Sequence, residues 1–424
     1  MNTVVMVGLS HRTAPLALLE RVAVPADRRP EVLAAVREAG FSEAVLLVTC
    51  SRTEIYAAGR KAHPERLIDA LAAQAGSAYG TVRRTAEVRV GQAAVTHLFR
   101  VTSGLESRVV GEPEIRSQVR AAFRDACAAQ AVGGGMLGEL FAAAVRVASQ
   151  VHRETALGST GRSLACRAVD VALTDTAATP SVLVVGSGRM ASGAVDHLRR
   201  LGHRPTVVAR DERRAVQLGG ASHARPMSDL VSLMSVADVL ICTTSASEPL
   251  VTVDGVRRAM SDRAAPLTLV DLSVPRNVDP AVARIRGVRV VDVEDMQDHP
   301  GEGAALGQGV ARAESLIQAS ITRHRDHLAA RRAGPLIAAM RQRVEAQCLE
   351  AVARLTHTTC PPDELLRIAR TVAGRLAHPA TMAARAAAAA GDDAALLTIC
   401  GAMDVALTPD LVGLGADKLL TRVT

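Results

Sequence analysis

A short β-branched run, Ser181-Val182-Leu183-Val184-Val185, leads directly into Gly186-Ser187-Gly188-Arg189-Met190-Ala191. No other stretch restricts the fold as tightly. It is the GxGxxA form of the dinucleotide fingerprint. The first glycine makes the turn, the second lets backbone approach a pyrophosphate, and a small third residue packs helix on strand. A bare GxGxxA is weak. This one follows a strand, opens a helix to about Leu201 and precedes a second strand, Thr206–Ala209. Dinucleotide binding by Gly186, Ser187, Gly188, Arg189, Met190 and Ala191 is the expectation; a strand–turn–helix without cofactor is the alternative. Arg210 stands at the end of the second strand, where an NAD site usually carries an acid. An arginine there pairs with a 2′-phosphate and favours NADPH. Asp211 and Glu212 follow and leave a ribose contact open. Further strands are expected at Ala237–Cys242, with Cys242 buried, at Leu267–Leu272 and at Val288–Asp292. The loops Thr243–Ser247 and Ser273–Arg276 then fall on the strand-end edge that faces ligand in an open parallel sheet.

The chain is 424 residues long and 48% hydrophobic, enough for two to four domains. No apolar run approaches the ~18 residues that a membrane helix needs, and the N-terminus reads as a first strand rather than a leader. A cytoplasmic protein without a membrane partner is the expectation. Seven cysteines are scattered without a CxxC pair. That is neither a disulfide framework nor a zinc site, so no metal is expected. A net charge of +7 is compatible with a polyanionic partner. No Phe, Tyr or Trp follows Phe141. Nucleic-acid contacts beyond that point must use arginine, backbone and shape instead of stacking.

The first segment offers a thiol. Ala44–Val48 reads as a buried strand, after which Thr49-Cys50-Ser51-Arg52-Thr53-Glu54 turns polar. Cys50 is a candidate nucleophile, with positive charge from Arg52 expected to lower its pKa. An inert buried cysteine is the plainer alternative. His11, in Ser10-His11-Arg12-Thr13-Ala14-Pro15, reads as a loop or capping residue. Val95, Leu98, Phe99 and Val101 mark a helix that carries His97 and ends near Gly104. Glu112 and Glu114 sit at the mouth of a further helix, where carboxylates suit the dipole.

In order, Gly8-Leu9-Ser10-His11-Arg12-Thr13-Ala14-Pro15, Thr49-Cys50-Ser51-Arg52-Thr53-Glu54-Ile55-Tyr56, His97-Leu98-Phe99-Arg100-Val101, Gly104-Leu105-Glu106-Ser107 and Gly111-Glu112-Pro113 resemble glutamyl-tRNA reductase. Asp271-Leu272-Ser273-Val274-Pro275-Arg276 and Leu376-Ala377-His378-Pro379 extend the resemblance over essentially the whole chain. It implies NADPH-dependent reduction of glutamyl-tRNA(Glu) to glutamate-1-semialdehyde, the first step of tetrapyrrole formation by the C5 route. It implies Cys50 as the thioester-forming nucleophile and His97 as a second catalytic group. It places Thr49, Ser51, Arg52, Ser107, Glu112, Pro113, Glu114 and Gln118 at the substrate, with Arg52 suited to the γ-carboxylate. A glutamate-1-semialdehyde aminomutase is the candidate recipient of the product. The chain departs from the family pattern at several positions. Ser51 replaces Asn, Glu114 replaces Gln, Arg108 replaces an apolar residue, Arg189 replaces Glu and Ala209 replaces Asn. Arg108 is placed to neutralise Glu114. A catalytically impaired or specialised relative that binds tRNA or a partner is the second reading. Another NADP oxidoreductase acting on a free small molecule is a third.

The last segment is helical. Leu306, Val310, Ala313, Ile317, Ile321 and Leu328 recur at helical spacing over about six turns. Leu336, Met340, Val344, Val352 and Leu355 continue the pattern after Pro335. With little chain beside it, that stripe is expected to be covered by a second copy. The Ala386–Ala390 run reads as helix without chemistry. The architecture expected is an α/β N-terminal catalytic domain over 1–157, a Rossmann-type NADP-binding domain over 158–304, and a C-terminal helical dimerisation domain over 305–424.

Overall fold

The computed structural model describes residues 3–405 except 61–62, 134, 156, 158–162, 175, 177–178, 245, 247, 262, 264, 296–302, 355–360 and 391. Strand β1 (Thr3–Ser10) is buried along nearly its whole length. It lies between β3 (Arg52–Gly59) and β4 (Glu87–Val90), antiparallel to both. β2 (Glu43–Val48) pairs antiparallel with β3 and completes a four-stranded sheet in the order β2-β3-β1-β4. Gly8 lies opposite Glu54 in the register. A Cβ at Gly8 would stand 2.6 Å from the Glu54 side chain, so only glycine lets that carboxylate lie against β1. The helices Gln92–Thr102, Glu114–Ala128 and Met136–Glu154 belong to the same α/β region.

The second sheet is wholly parallel. Its strands are β5 (Val182–Val185), β6 (Thr206–Ala209), β7 (Ala224–Pro226), β8 (Val239–Cys242), β9 (Leu267–Asp271) and β10 (Val288–Asp292). They stand in the order β10-β9-β8-β5-β6-β7. Strand order reverses at β5, as in a doubly wound sheet, and the crevice at such a reversal is where these sheets bind ligand. Alternation gives β5 two packed faces. Val182 and Val184 enter one core with Ala191, Ala194 and Leu198 of the helix Arg189–Arg200, while Leu183 and Val185 enter the other with Leu230, Met234 and Val256.

By contacts the chain forms two compact units, Asn2–Ile317 and Gln318 onward. Both sheets lie in the first. The expected division at 157/158 adjoins residues 158–162, which are outside the described residues. The helix Gly303–Ala353 runs through Pro335 without a break, so the apolar pattern on the two sides of that proline falls on one helix. Beyond Gln318, the helices Pro362–Ala390 and Asp393–Ala402 complete the second unit.

The expected bare stripe is corrected there. Leu336, Ile337 and Met340 are buried with Ala384, Ala387, Ala388, Leu396 and Cys400 of the same chain, and Val344 with Ala373 and Ala377. The alanine run is what permits this close approach. Leu366 is exposed on one side of the helix Pro362–Ala390, and the other exposed large apolar residues described on that helix are Ile368, Val372, Leu376 and Met382. At about 100° per residue the latter share the other side. Leu355 and the side chain of Leu306, both part of the expected stripe, lie outside the described residues.

Candidate active site

Cys50 stands at the tip of the β2–β3 hairpin. Thr49 N–H donates to the Arg52 carbonyl at 2.9 Å, and the Thr49 hydroxyl accepts from the amides of Ser51 and Arg52, each at 3.2 Å. A two-residue tip fixed by a threonine in this way presents its first residue in one orientation. The His11 amide donates to the Ser51 carbonyl at 2.8 Å, tying the β1 loop to the same turn.

Behind the turn, β3 carries Arg52, Glu54 and Tyr56 on one face, since side chains alternate along a strand. All three are buried. Arg52 pairs with Glu54 at 2.7 Å and donates to the Glu106 carbonyl. Tyr56 donates to Glu54 at 2.7 Å, and His97 Nε2 lies 2.9 Å from the same carboxylate. Burial alone would raise the Glu54 carboxyl. The Arg52 guanidinium, together with the hydrogen bonds from His97 and Tyr56, holds it well below the usual carboxylate range. Arg52 Nε and His97 Nδ1 keep no hydrogen-bond partner among the described residues. Glu106 pairs with Arg100 at 2.6 Å and with Arg12.

The thiol itself corrects one expectation. Burial pushes Cys50 up to about 12, and the Glu112 carboxylate pushes the same way. Arg108 pulls it down more than Arg52 does, but neither prevails. The resting group is a neutral thiol, not a thiolate. Burial and then the neighbouring Glu114 push Glu112 up to about 8, so Glu112 is protonated at neutral pH. Burial, followed by the charges of Arg108, Arg52 and Arg12, pulls His11 down to about 4 and leaves it a neutral imidazole. A second correction concerns Arg108. Its charge interactions are with Glu294, Cys50 and Asp292. The cation that acts on Glu114 is Arg189.

A cavity of about 530 Å³ brings the two sheets' functional edges together. Thr49, Cys50, Glu114 and Gln118 line it from one side. Gly186, Ser187, Gly188, Arg189, Met190 and Arg210 line it from the other. Ala191 is buried beneath the turn, with the spacing the fingerprint requires. Ser51, Arg52, His97, Ser107, Glu112 and Pro113 are not among the lining residues. Thr243, Thr244 and Ser273 line the cavity from the two loops expected on the ligand-facing edge, and Arg29 and Arg214 line it without any signal in the sequence. Arg214, on the helix Glu212–Gly219, pairs with Asp211 at 3.4 Å and lines the cavity together with Arg210.

The turn fits a dinucleotide. Gly186 has φ +122°, and a Cβ there would stand 2.5 Å from the Thr243 hydroxyl. A Cβ on Gly188 would meet nothing within 4 Å, so backbone there is open to approach. Gly188 caps the helix Arg189–Arg200 without a side-chain hydrogen bond, leaving its first amides for an anion. No group of three His, Cys, Asp or Glu side chains able to hold a metal occurs among the described residues. No helix among them is long and apolar enough to cross a membrane.

A Rossmann-type sheet whose nucleotide turn shares a cavity with a cysteine hairpin defines a nucleotide-dependent oxidoreductase with a thiol on the facing wall. The glutamyl-tRNA reductase of Salinispora arenicola is 37% identical over 92% of this chain and 90% of its own length, and that of Myxococcus xanthus is 37% identical over 82% and 80%. The chain belongs to the glutamyl-tRNA reductase family. Residues 7–155 match the family model "Glutamyl-tRNAGlu reductase, N-terminal domain", 169–299 match "Shikimate / quinate 5-dehydrogenase", and 312–403 match "Glutamyl-tRNAGlu reductase, dimerisation domain". Among solved structures, the glutamyl-tRNA reductase of Methanopyrus kandleri aligns over 93% of this chain and 99% of that one, at 27% identity and a TM-score of 0.42.

Proposed function

We propose that this protein reduces glutamyl-tRNA(Glu) to glutamate-1-semialdehyde with NADPH, through a thioester on Cys50. The observation that carries the reading is that Cys50 and the Gly186–Met190 turn line one cavity. The sulfur attacks the carbonyl carbon of the aminoacyl ester. A C–S bond forms, the C–O bond to the tRNA ribose breaks, and the thiol proton passes to the leaving oxygen. Because Cys50 rests protonated, a base must take that proton as sulfur attacks. His97 is the family-implied group, and its Nε2 contact with Glu54 orients its ring. Sulfur donates less resonance to a carbonyl than oxygen does, so the acyl carbon becomes a better hydride acceptor. When bound, NADPH supplies that hydride, which yields the aldehyde and releases Cys50 as a thiolate that takes a proton from solvent to return to the thiol.

The Gly186–Met190 backbone would hold the pyrophosphate, and Arg210, with Arg214 nearby, the 2′-phosphate. Thr49, Ser51, Arg52, Ser107, Glu112, Pro113, Glu114 and Gln118 form the substrate side. Protonated Glu112 is a hydrogen-bond donor there. The division at 1–157, 158–304 and 305–424 separates thiol, cofactor and assembly roles. A second copy of the chain covers Ile368, Val372, Leu376 and Met382 in a homodimer. Charged tRNA places the reaction in the cytoplasm, and the reactive aldehyde suits direct transfer to a glutamate-1-semialdehyde aminomutase.

The test is NADPH oxidation by purified protein with glutamyl-tRNA and with free glutamate. Turnover is expected only with the former and is lost in Cys50→Ser. Turnover on free glutamate, or by the serine variant, would overturn the reading. Sedimentation is expected to give twice the chain mass, and Leu376→Glu to give monomer.

A further inference from the structure

Two of the departures from the family pattern carry opposite charge and meet across one cavity. Glu114 is the first residue of the helix Glu114–Ala128 on the thiol side. Arg189 is the first residue of the helix Arg189–Arg200, directly after the glycine turn. Both line the same cavity. One oxygen of Glu114, Oε2, is shielded from solvent without a hydrogen-bond partner among the described residues. The Arg189 guanidinium is exposed and makes no hydrogen bond or ion pair among the described residues. The two groups interact electrostatically without being within ion-pair distance. A shielded carboxylate oxygen with no donor is costly, and the cost is relieved when a donor reaches it. Elsewhere the same two regions are already joined. Arg276 donates from Nε and Nη2 to the two carboxylate oxygens of Glu20, each at 2.8 Å, and Glu294 accepts from the Leu16 amide at 2.8 Å.

We infer that Glu114 and Arg189 are positioning residues that close into an ion pair across the cavity and draw the nucleotide turn toward Cys50. The inference rests on the reductase reading, which gives the closure its purpose. A bidentate Arg–carboxylate pair fixes orientation as well as distance. The hydride step depends on both, whereas acylation of Cys50 needs only the thiol side.

The test separates the half-reactions. Protein is first acylated with glutamyl-tRNA without NADPH, and NADPH is then added and aldehyde formation followed. Glu114→Arg and Arg189→Glu are each expected to slow the NADPH-dependent step by about tenfold, equivalent to about 1.4 kcal/mol. The double reversal is expected to recover most of that loss, which a merely structural role would not produce. If the double variant is no faster than the slower single one, the pair does not exist. If Arg189→Glu acts only on the KM for NADPH and Glu114→Arg brings no rescue, Arg189 serves the cofactor phosphates alone and the inference falls. A readout independent of turnover is zero-length carbodiimide coupling in Arg189→Lys. A cross-linked peptide between positions 114 and 189 is expected, and it should vanish when Glu114→Gln is added. Its absence contradicts the pair, whereas absence of wild-type aldehyde contradicts the reductase reading.

Discussion

Two sets of charged side chains flank the Thr49–Ser51 turn, and they differ in how they are neutralised. On β3 and the helix Gln92–Thr102, Arg52, Glu54, Tyr56 and His97 satisfy one another's charge at 2.7–2.9 Å. In the other set, Glu114 Oε2 at the cavity and Arg108 Nε and His11 Nδ1 near the turn find no hydrogen-bond partner among the described residues, as only Arg52 Nε and His97 Nδ1 do in the first set, and Glu112 stays protonated near pH 7. Paired groups in a low dielectric hold a geometry. Unpaired shielded groups cost free energy and persist where a ligand or a closing element completes them. The first set is therefore a scaffold that fixes Arg52 and His97 in place for their proposed roles, and the second is left for substrate, cofactor and closure.

The largest effect that would break this contrast lies in the scaffold. Glu54→Gln leaves Arg52 buried without its counter-charge and is expected to lower unfolding free energy by about 3–5 kcal/mol in urea titration. The pH dependence has a definite sign. The Glu54 carboxyl is depressed in the folded state, so its stabilisation is present above the ordinary carboxylate range and is lost as pH falls through and below it. The glutamine variant should lose that part of the acid sensitivity. A variant as stable as wild type would mean that the network is not a scaffold.

Next is the thiol. With Cys50 pushed up to about 12, its thiolate fraction at pH 8 should be about a thousandfold below that of an ordinary cysteine. Exposed Cys127 serves as the internal reference. Alkylation by iodoacetamide, read peptide by peptide, should be far slower at Cys50 and still be rising above pH 10. Equal rates at pH 8 would mean that positive charge outweighs burial at the turn.

Smaller effects sharpen the cavity side. Glu112→Gln removes the carboxylate that raises the thiol, and should speed Cys50 alkylation by about tenfold above pH 8, one unit of pKa. Below pH 8 the change should be slight, because the native carboxyl is protonated there. Arg108→Leu acts in the opposite direction through the loss of a cation, and should slow alkylation by about threefold, roughly half a pKa unit.

The Rossmann portion was legible in the sequence because its signals are local. Gly186, Gly188 and Ala191 each answer a steric requirement within one turn, and the apolar runs mark β8, β9 and β10 to within a few residues. The thiol's surroundings were legible in membership but not in electrostatics. Sequence proximity of Arg52 to Cys50 suggested activation, yet Arg52 is spent on Glu54 from the same strand face. The period-two spacing of Arg52, Glu54 and Tyr56 carried that information, hidden because charged residues read as exposed. The Glu114–Arg189 relation joins residues 75 positions apart, and only the fold brings them to one cavity. The second unit failed differently. Periodicity showed that the helix Gly303–Ala353 needs cover, but small residues at Ala384, Ala387 and Ala388 supply part of it from within the chain.

The most direct measurement is mass spectrometry of the protein incubated with glutamyl-tRNA in the absence of NADPH. A glutamyl group on the peptide carrying Cys50, discharged as aldehyde when NADPH is added, is the predicted result. Aldehyde formation in rapid-quench samples that never show the acylated peptide would contradict the account.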